Sequence, residues 1–224
     1  SFVTVGGMNH VEAVDAIRLS PFGSIMSGVR NRRAAPDAIE MIPRVHRADV
    51  SNTEFPGLLE GNKPEYDSYA RIPGVVDVDH LSIFDAMLDT ALTAELRTKR
   101  QWTYNVGSMI TGFGPCNQLS IHCDSFDADA ADQIDGVVDD CIASLGERTD
   151  LFEAVRRSRL AGFRMIDSSG FSACKNASIM VAHHDKLLFI EDRIRVINAM
   201  TMNDVRYLSS LLEPRRRWTK LVRP

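Results

Sequence analysis

Glu95-Leu96-Arg97-Thr98-Lys99-Arg100-Gln101-Trp102-Thr103-Tyr104-Asn105-Val106 is the stretch on which the reading of this chain turns. Before it, residues 79–96 carry apolar side chains at Leu81, Phe84, Leu88, Ala91 and Leu92, the spacing of a helix with one buried stripe. From Thr103 the pattern changes: Tyr104, Val106 and Ile110 share a parity, as residues on one face of a strand do. The stretch therefore joins a helix to a strand, with Arg97 in the last helical turn and Tyr104 where the strand begins. A chain reversal between them lets a guanidinium and a phenol hydroxyl converge on one point. Both donate hydrogen bonds to a carbonyl oxygen, and the guanidinium stabilises developing negative charge. Spacing alone also leaves a plainer reading open. Arg97 caps the helix C-terminus, where cations are favoured, and Tyr104 is a half-buried strand aromatic.

The elements around this stretch set the fold class. Phe2–Val5 alternates like a strand, Gly6-Gly7 turns the chain, and Asn9 with Glu12 opens a helix through Ile17 that ends at Pro21 and Gly23. Residues 38–45 and 69–76 read as strands, and residues 54–68, with two prolines and two glycines, as a loop. After Tyr104 the strand runs to about Thr111, Gly112–Pro115 turns, and Leu119, Ile121 and Cys123 alternate to close a hairpin. Helical spacing then recurs over 127–145, from Thr149 through Phe163, and over about 172–198. Thr201-Met202-Asn203-Asp204 starts a helix that Pro214 stops, and Trp218–Val222 reads as a last strand. Strands in one run and helices in another argue an α+β fold: a single mixed or antiparallel sheet with helices packed on one face, residues 1–224 forming one domain.

Composition bounds the partners. A formal net charge of −4 gives no general pull toward nucleic acid or anionic membrane. No apolar run approaches the ~20 residues that a membrane span needs. The four cysteines, 116, 123, 141 and 174, form no Cys-x-x-Cys pair, so reduced thiols in a cytoplasmic protein are the plainer expectation. Arg30, Arg32 and Arg33, and likewise Arg215–Arg217, read as solvated basic clusters. Because Ser1 leads straight into a strand, a preceding segment or domain is expected.

The segment Leu96-Arg97 to Tyr104 resembles the Leu-Arg-x-x-x-x-x-x-Tyr segment of the pitrilysin and insulinase superfamily of zinc metallopeptidases, which includes the mitochondrial processing peptidases. The strand-Gly-helix opening and the closing Thr201-x-x-Asp204-Val205 followed by Pro214 and a strand fit the same family. The resemblance implies a C-terminal, non-zinc-binding domain. In it Arg97 and Tyr104 would be the catalytic and substrate-binding pair, reaching across a closed chamber to hold a peptide beside a zinc ion. One departure stands beside the tyrosine: Trp102-Thr103 replaces the family's frequent Leu-Gly or Leu-Ala, which puts the closeness of the substrate in question.

The family's metal signature is absent. Two histidines one helical turn apart with a glutamate between them, His-x-x-Glu-His, bind zinc and supply a base. None of the six histidines, 10, 46, 80, 122, 183 and 184, has this spacing. His183-His184 are adjacent and point about 100° apart on a helix. His10-Val11-Glu12 and Pro115-Cys116 imitate a zinc deaminase, but Leu119 stands where the second thiolate belongs. No cofactor is therefore expected in this chain, and zinc is expected in a partner chain or domain carrying His-x-x-Glu-His. The expected function is the non-zinc-binding half of a pitrilysin-like metallopeptidase acting on a peptide. Two alternatives stay open: a catalytically inactive structural or peptide-binding module of the same fold, and an unrelated α+β enzyme using the Gly6-Gly7 turn.

Overall fold

A computed structural model of the chain describes Val11, Asp15 and residues 47–51, 64–74, 76–113, 116–124, 128–166, 189–214 and 217–223. The expected first strand, the Gly6-Gly7 turn, the strand over 38–45, both basic clusters except Arg217, and residues 172–188 of the expected long helix, with His183-His184, lie outside the described residues; the described end of that helix begins at Ile190, after an extended Phe189. Of the first expected helix, Val11 and Asp15 are described, and both are helical.

Five described strands form one sheet in the order β1-β5-β2-β4-β3. They are β1 (Arg47–Ser51), β2 (Glu65–Pro73), β3 (Asn105–Phe113), β4 (Cys116–Asp124) and β5 (Arg217–Arg223). All neighbours pair antiparallel except β1, which runs parallel to β5, so the sheet is mixed as the sequence pattern implies. The helices are α1 (Val78–Leu92), α2 (Ile134–Ser144), α3 (Thr149–Ile166), α4 (Ile190–Ala199) and α5 (Met202–Leu211). Helix α1 is central: it touches β3 and all four of the other labelled helices.

The core lies between α1 and one face of the sheet. Tyr66, Ala70 and Ile72 of β2 and Leu119, Ile121 and Cys123 of β4 point into it, meeting Ile83, Phe84, Met87, Leu88 and Leu92 of α1. Residues of opposite parity, among them Tyr69, Arg71, His122, Met109 and Trp218, stand on the other face and are half-buried or exposed. That alternation places the helices on one side only. Asp77 caps α1, its Oδ1 accepting the Asp79 N–H at 2.8 Å. Thr201 and Asp204 make the reciprocal capping box at the start of α5.

Five expectations need correction. Arg217, expected in a solvated basic cluster, is buried and pairs with Asp139. Strand β2 begins at Glu65, so residues 65–68 belong to the sheet and not to a loop. Its inward side includes Ser68, which binds the buried Arg217, and this polar residue hides the apolar alternation. Strand β1 falls outside every expected strand; its five residues, Arg-Ala-Asp-Val-Ser, alternate polar and apolar, but Ala48 and Val50 alone make too short and weak a pattern to mark it. The helix does not end at Leu96 but continues from Thr93 to Lys99 with π geometry. Tyr104 lies just before β3 and does not share the inward side of Val106 and Ile110, which pack against the core.

Candidate functional site

The π-helical segment Thr93–Lys99 carries Arg97, and the turn after it carries Tyr104. Leu96 is fully buried and anchors the segment to the core, which leaves Arg97, Thr98, Lys99 and Arg100 exposed. Arg100 N–H bonds to the Glu95 carbonyl at 3.1 Å, an i→i+5 closure, and Trp102 N–H bonds to the Leu96 carbonyl at 3.0 Å. Between them Gln101 takes φ 57°, the left-handed conformation that a sharp reversal requires of a residue other than glycine. The chain comes back on itself and sets Tyr104 against the helix end.

Arg97 and Tyr104 are brought together. The Arg97 guanidinium carbon lies 4.4 Å from the centre of the Tyr104 ring, within cation–π range. Tyr104 is 79% exposed, so both polar groups face solvent, and the plainer reading of a half-buried aromatic does not hold. Among the described residues Arg97 makes no ion pair, whereas Glu95 takes up its two basic neighbours: Lys99 Nζ at 3.1 Å and Arg100 Nε at 3.0 Å. Burial acts to raise the Glu95 carboxyl, but hydrogen bonds from Lys99 and Arg100 and their charges outweigh it and hold it below the usual carboxylate range. A guanidinium with one face on a ring keeps its in-plane N–H donors available, and the phenol adds another. The pair can present two kinds of donor to one peptide carbonyl.

The two residues before Tyr104 turn away from it. Trp102 is half-buried against the core and carries the Arg100 guanidinium 4.7 Å above its ring. Thr103 is buried; its hydroxyl donates to the Asp124 carbonyl at 2.6 Å and accepts the Asn105 N–H at 3.2 Å. The bulk beside the tyrosine therefore turns inward and ties β3 to β4, leaving Tyr104 uncovered. A cleft of about 410 Å³ between the end of α1 and the start of α3 is lined by Thr90, Ala94, Glu147, Arg148, Thr149, Asp150 and Leu151, so Arg97 and Tyr104 stand outside it.

Elsewhere on the solvent face of the sheet, Asp67 binds His122 Nδ1 at 2.7 Å and Lys220 Nζ at 3.2 Å, and Tyr69 lies against Trp218 with ring centres 5.4 Å apart. Sequence reasoning missed these pairs because their partners are joined only by strand register. Among the described residues no group of three or more His, Cys, Asp or Glu side chains is placed to hold a metal ion.

No family model matches the sequence, and no curated protein is similar to it in sequence. Solved structures are similar in shape. The M16 peptidase inactive domain from Pseudomonas fluorescens superposes with a TM-score of 0.65 at 17% identity, over 81% of this chain and 43% of that one. The periplasmic protease PqqL from Escherichia coli gives 0.64 at 11% identity, over 81% of this chain and 21% of that one. A chain of Complex III2 from Candida albicans gives 0.60 at 9% identity, over 80% and 45%. The chain thus spans less than half the length of each of these three neighbours. At such identities the likeness is one of fold, and the fold of this chain is that of the M16, pitrilysin-like peptidase domains.

Proposed function

We propose that this chain is the non-zinc-binding half of a pitrilysin-like peptidase, and that Arg97 and Tyr104 hold the backbone of a peptide substrate. The observation that carries the reading is the exposed stack of Arg97 on Tyr104 at 4.4 Å, with Glu95 engaging the neighbouring cations and Arg97 making no ion pair among the described residues. A partner chain or domain bearing His-x-x-Glu-His would supply zinc. The contribution of this chain is positional: the guanidinium and phenol donate to a substrate carbonyl and offset negative charge as it grows there. Metal analysis of the isolated chain is expected to find no stoichiometric zinc.

The test is cleavage by the chain together with its zinc-bearing partner. Arg97→Ala or Tyr104→Phe lowers the rate by about 10²–10³, the usual cost of losing one such donor, while assembly and folding persist. Full activity in both variants removes the role.

A second reading has its own support: the likeness extends to a chain of Complex III2, not only to proteases. In that reading the chain is a structural or peptide-binding module without catalysis. Identifying what co-purifies with it decides between the two. A partner carrying His-x-x-Glu-His favours the peptidase, and its absence favours the module.

A further inference from the structure

The ion pair between Glu95 and Arg100, the C-cap of the π segment, spans five residues, an interval that suits a π turn better than an α turn. On an α-helix of 3.6 residues per turn, a residue five positions on lies about 140° round the axis, poorly placed to pair. In a π-helix the i→i+5 hydrogen bond closes one turn, so the side chains at i and i+5 rise from the same side. Here the backbone makes that bond, Arg100 N–H to Glu95 carbonyl at 3.1 Å, and the side chains of the same two residues meet at 3.0 Å. The Glu95–Lys99 pair, four residues apart, suits an α-helix and does not discriminate between the two. Arg100 then lies over Trp102, which packs on the core, and the reversal at Gln101 follows.

π turns are rare and hold only where something selects them. A return to α geometry changes the angle of every side chain round the axis, and Arg97 sits inside the segment. We propose that Glu95 is the positioning residue for the Arg97–Tyr104 pair: through Arg100 its carboxylate keeps the segment in π register and so keeps Arg97 over the Tyr104 ring. The structural part stands on this geometry alone; its consequence for cleavage rests on the reading of the pair as a substrate clamp.

The test uses nuclear Overhauser contacts between Arg97 side-chain protons and the Tyr104 ring in the 224-residue chain. They are expected in the wild type, in Lys99→Ala and in Arg100→Lys, which keeps a cation within reach of Glu95. They are expected to vanish in Glu95→Gln and in Arg100→Ala. Contacts that persist in both of these overturn the proposal. With the zinc-bearing partner present, Glu95→Gln should lose the same fold in cleavage rate as Arg97→Ala, and the double variant should lose no more than either single one. Additive losses would also overturn it. Should Arg97→Ala cost nothing, the clamp reading fails while the Overhauser contacts still judge the positioning of Arg97.

Discussion

Asp79, fully buried in the first turn of α1, is gripped by Arg193 of α4, whose Nε lies 3.0 Å from both carboxylate oxygens. Arg193 in turn lies over Phe163 of α3 at 4.5 Å, so one guanidinium ties three helices together. Removing the carboxylate leaves a cation with little solvent around it. Asp79→Ala is expected to cost about 3–5 kcal/mol, measured by urea unfolding, because a buried charge is left unpaired. A loss under about 1 kcal/mol shows that water replaces the carboxylate there.

Helix α1 also covers β3, the edge strand among the described residues. Asp89 Oδ1 accepts the Ser108 N–H at 3.2 Å, and Asp85 Oδ2 lies 3.4 Å from the Ile110 N–H; both donors belong to edge strand β3. Gly107 makes room for this, since a Cβ there would stand 3.2 Å from Asp89 Oδ1. Exposed strand edges pair with other chains. The double variant Asp85→Ala/Asp89→Ala is therefore expected to stay folded and to self-associate, seen as a concentration-dependent rise in mass by sedimentation. A strictly monomeric double variant argues that the carboxylates do not guard the edge.

The capping box of α5 sets a pH dependence. Burial acts to raise the Asp204 carboxyl, but hydrogen bonds from the Thr201 N–H, at 2.7 Å, and the Thr201 hydroxyl, at 2.8 Å, outweigh it and hold it below the usual range. A carboxyl lowered in the folded state stabilises fully above its unfolded pKa, about 3.9 for Asp, and this stabilisation is lost as pH falls through the folded value. Asp204→Ala should cost about 1 kcal/mol at pH 7, the scale of a lost cap, and progressively less in acid. An unchanged penalty at pH 7 and at about pH 2 contradicts this assignment.

Two thiols are expected to be silent in the folded protein. Burial pushes Cys123 up to about 12, and burial with the nearby Glu95 charge pushes Cys141 up to about 11. The thiolate is the reactive form, so at pH 8 neither should react with a disulfide reagent until the chain unfolds. Mass mapping of labelled peptides with and without guanidinium checks this. Fast native labelling at Cys141 indicates that α2 opens away from α1.

Spacing left the Arg97–Tyr104 pairing open beside a plainer reading; the family resemblance favoured it, and the π-helical segment and the reversal at Gln101 bring the two together. The capping box at Thr201 was legible because its partners are three residues apart. Apolar spacing likewise located α1, α3, α5 and the β3–β4 hairpin. The π register after Leu92 left a trace in the Glu95–Arg100 interval, but that spacing has meaning only once the backbone geometry is known.

By itself, then, the sequence determined where the chain is helical or extended over its well-patterned runs, and that an arginine and a tyrosine lie either side of one turn. Short-range spacing and hydrogen bonding dictate such features wherever the chain lies. The tertiary structure decided the rest: that β5 inserts between β1 and β2, that Arg217 is buried beside Ser68, that Asp79 finds Arg193 across 114 residues, and that Tyr104 stands in solvent. Burial and strand register arise from packing between distant segments, and no local pattern encodes which segments will meet.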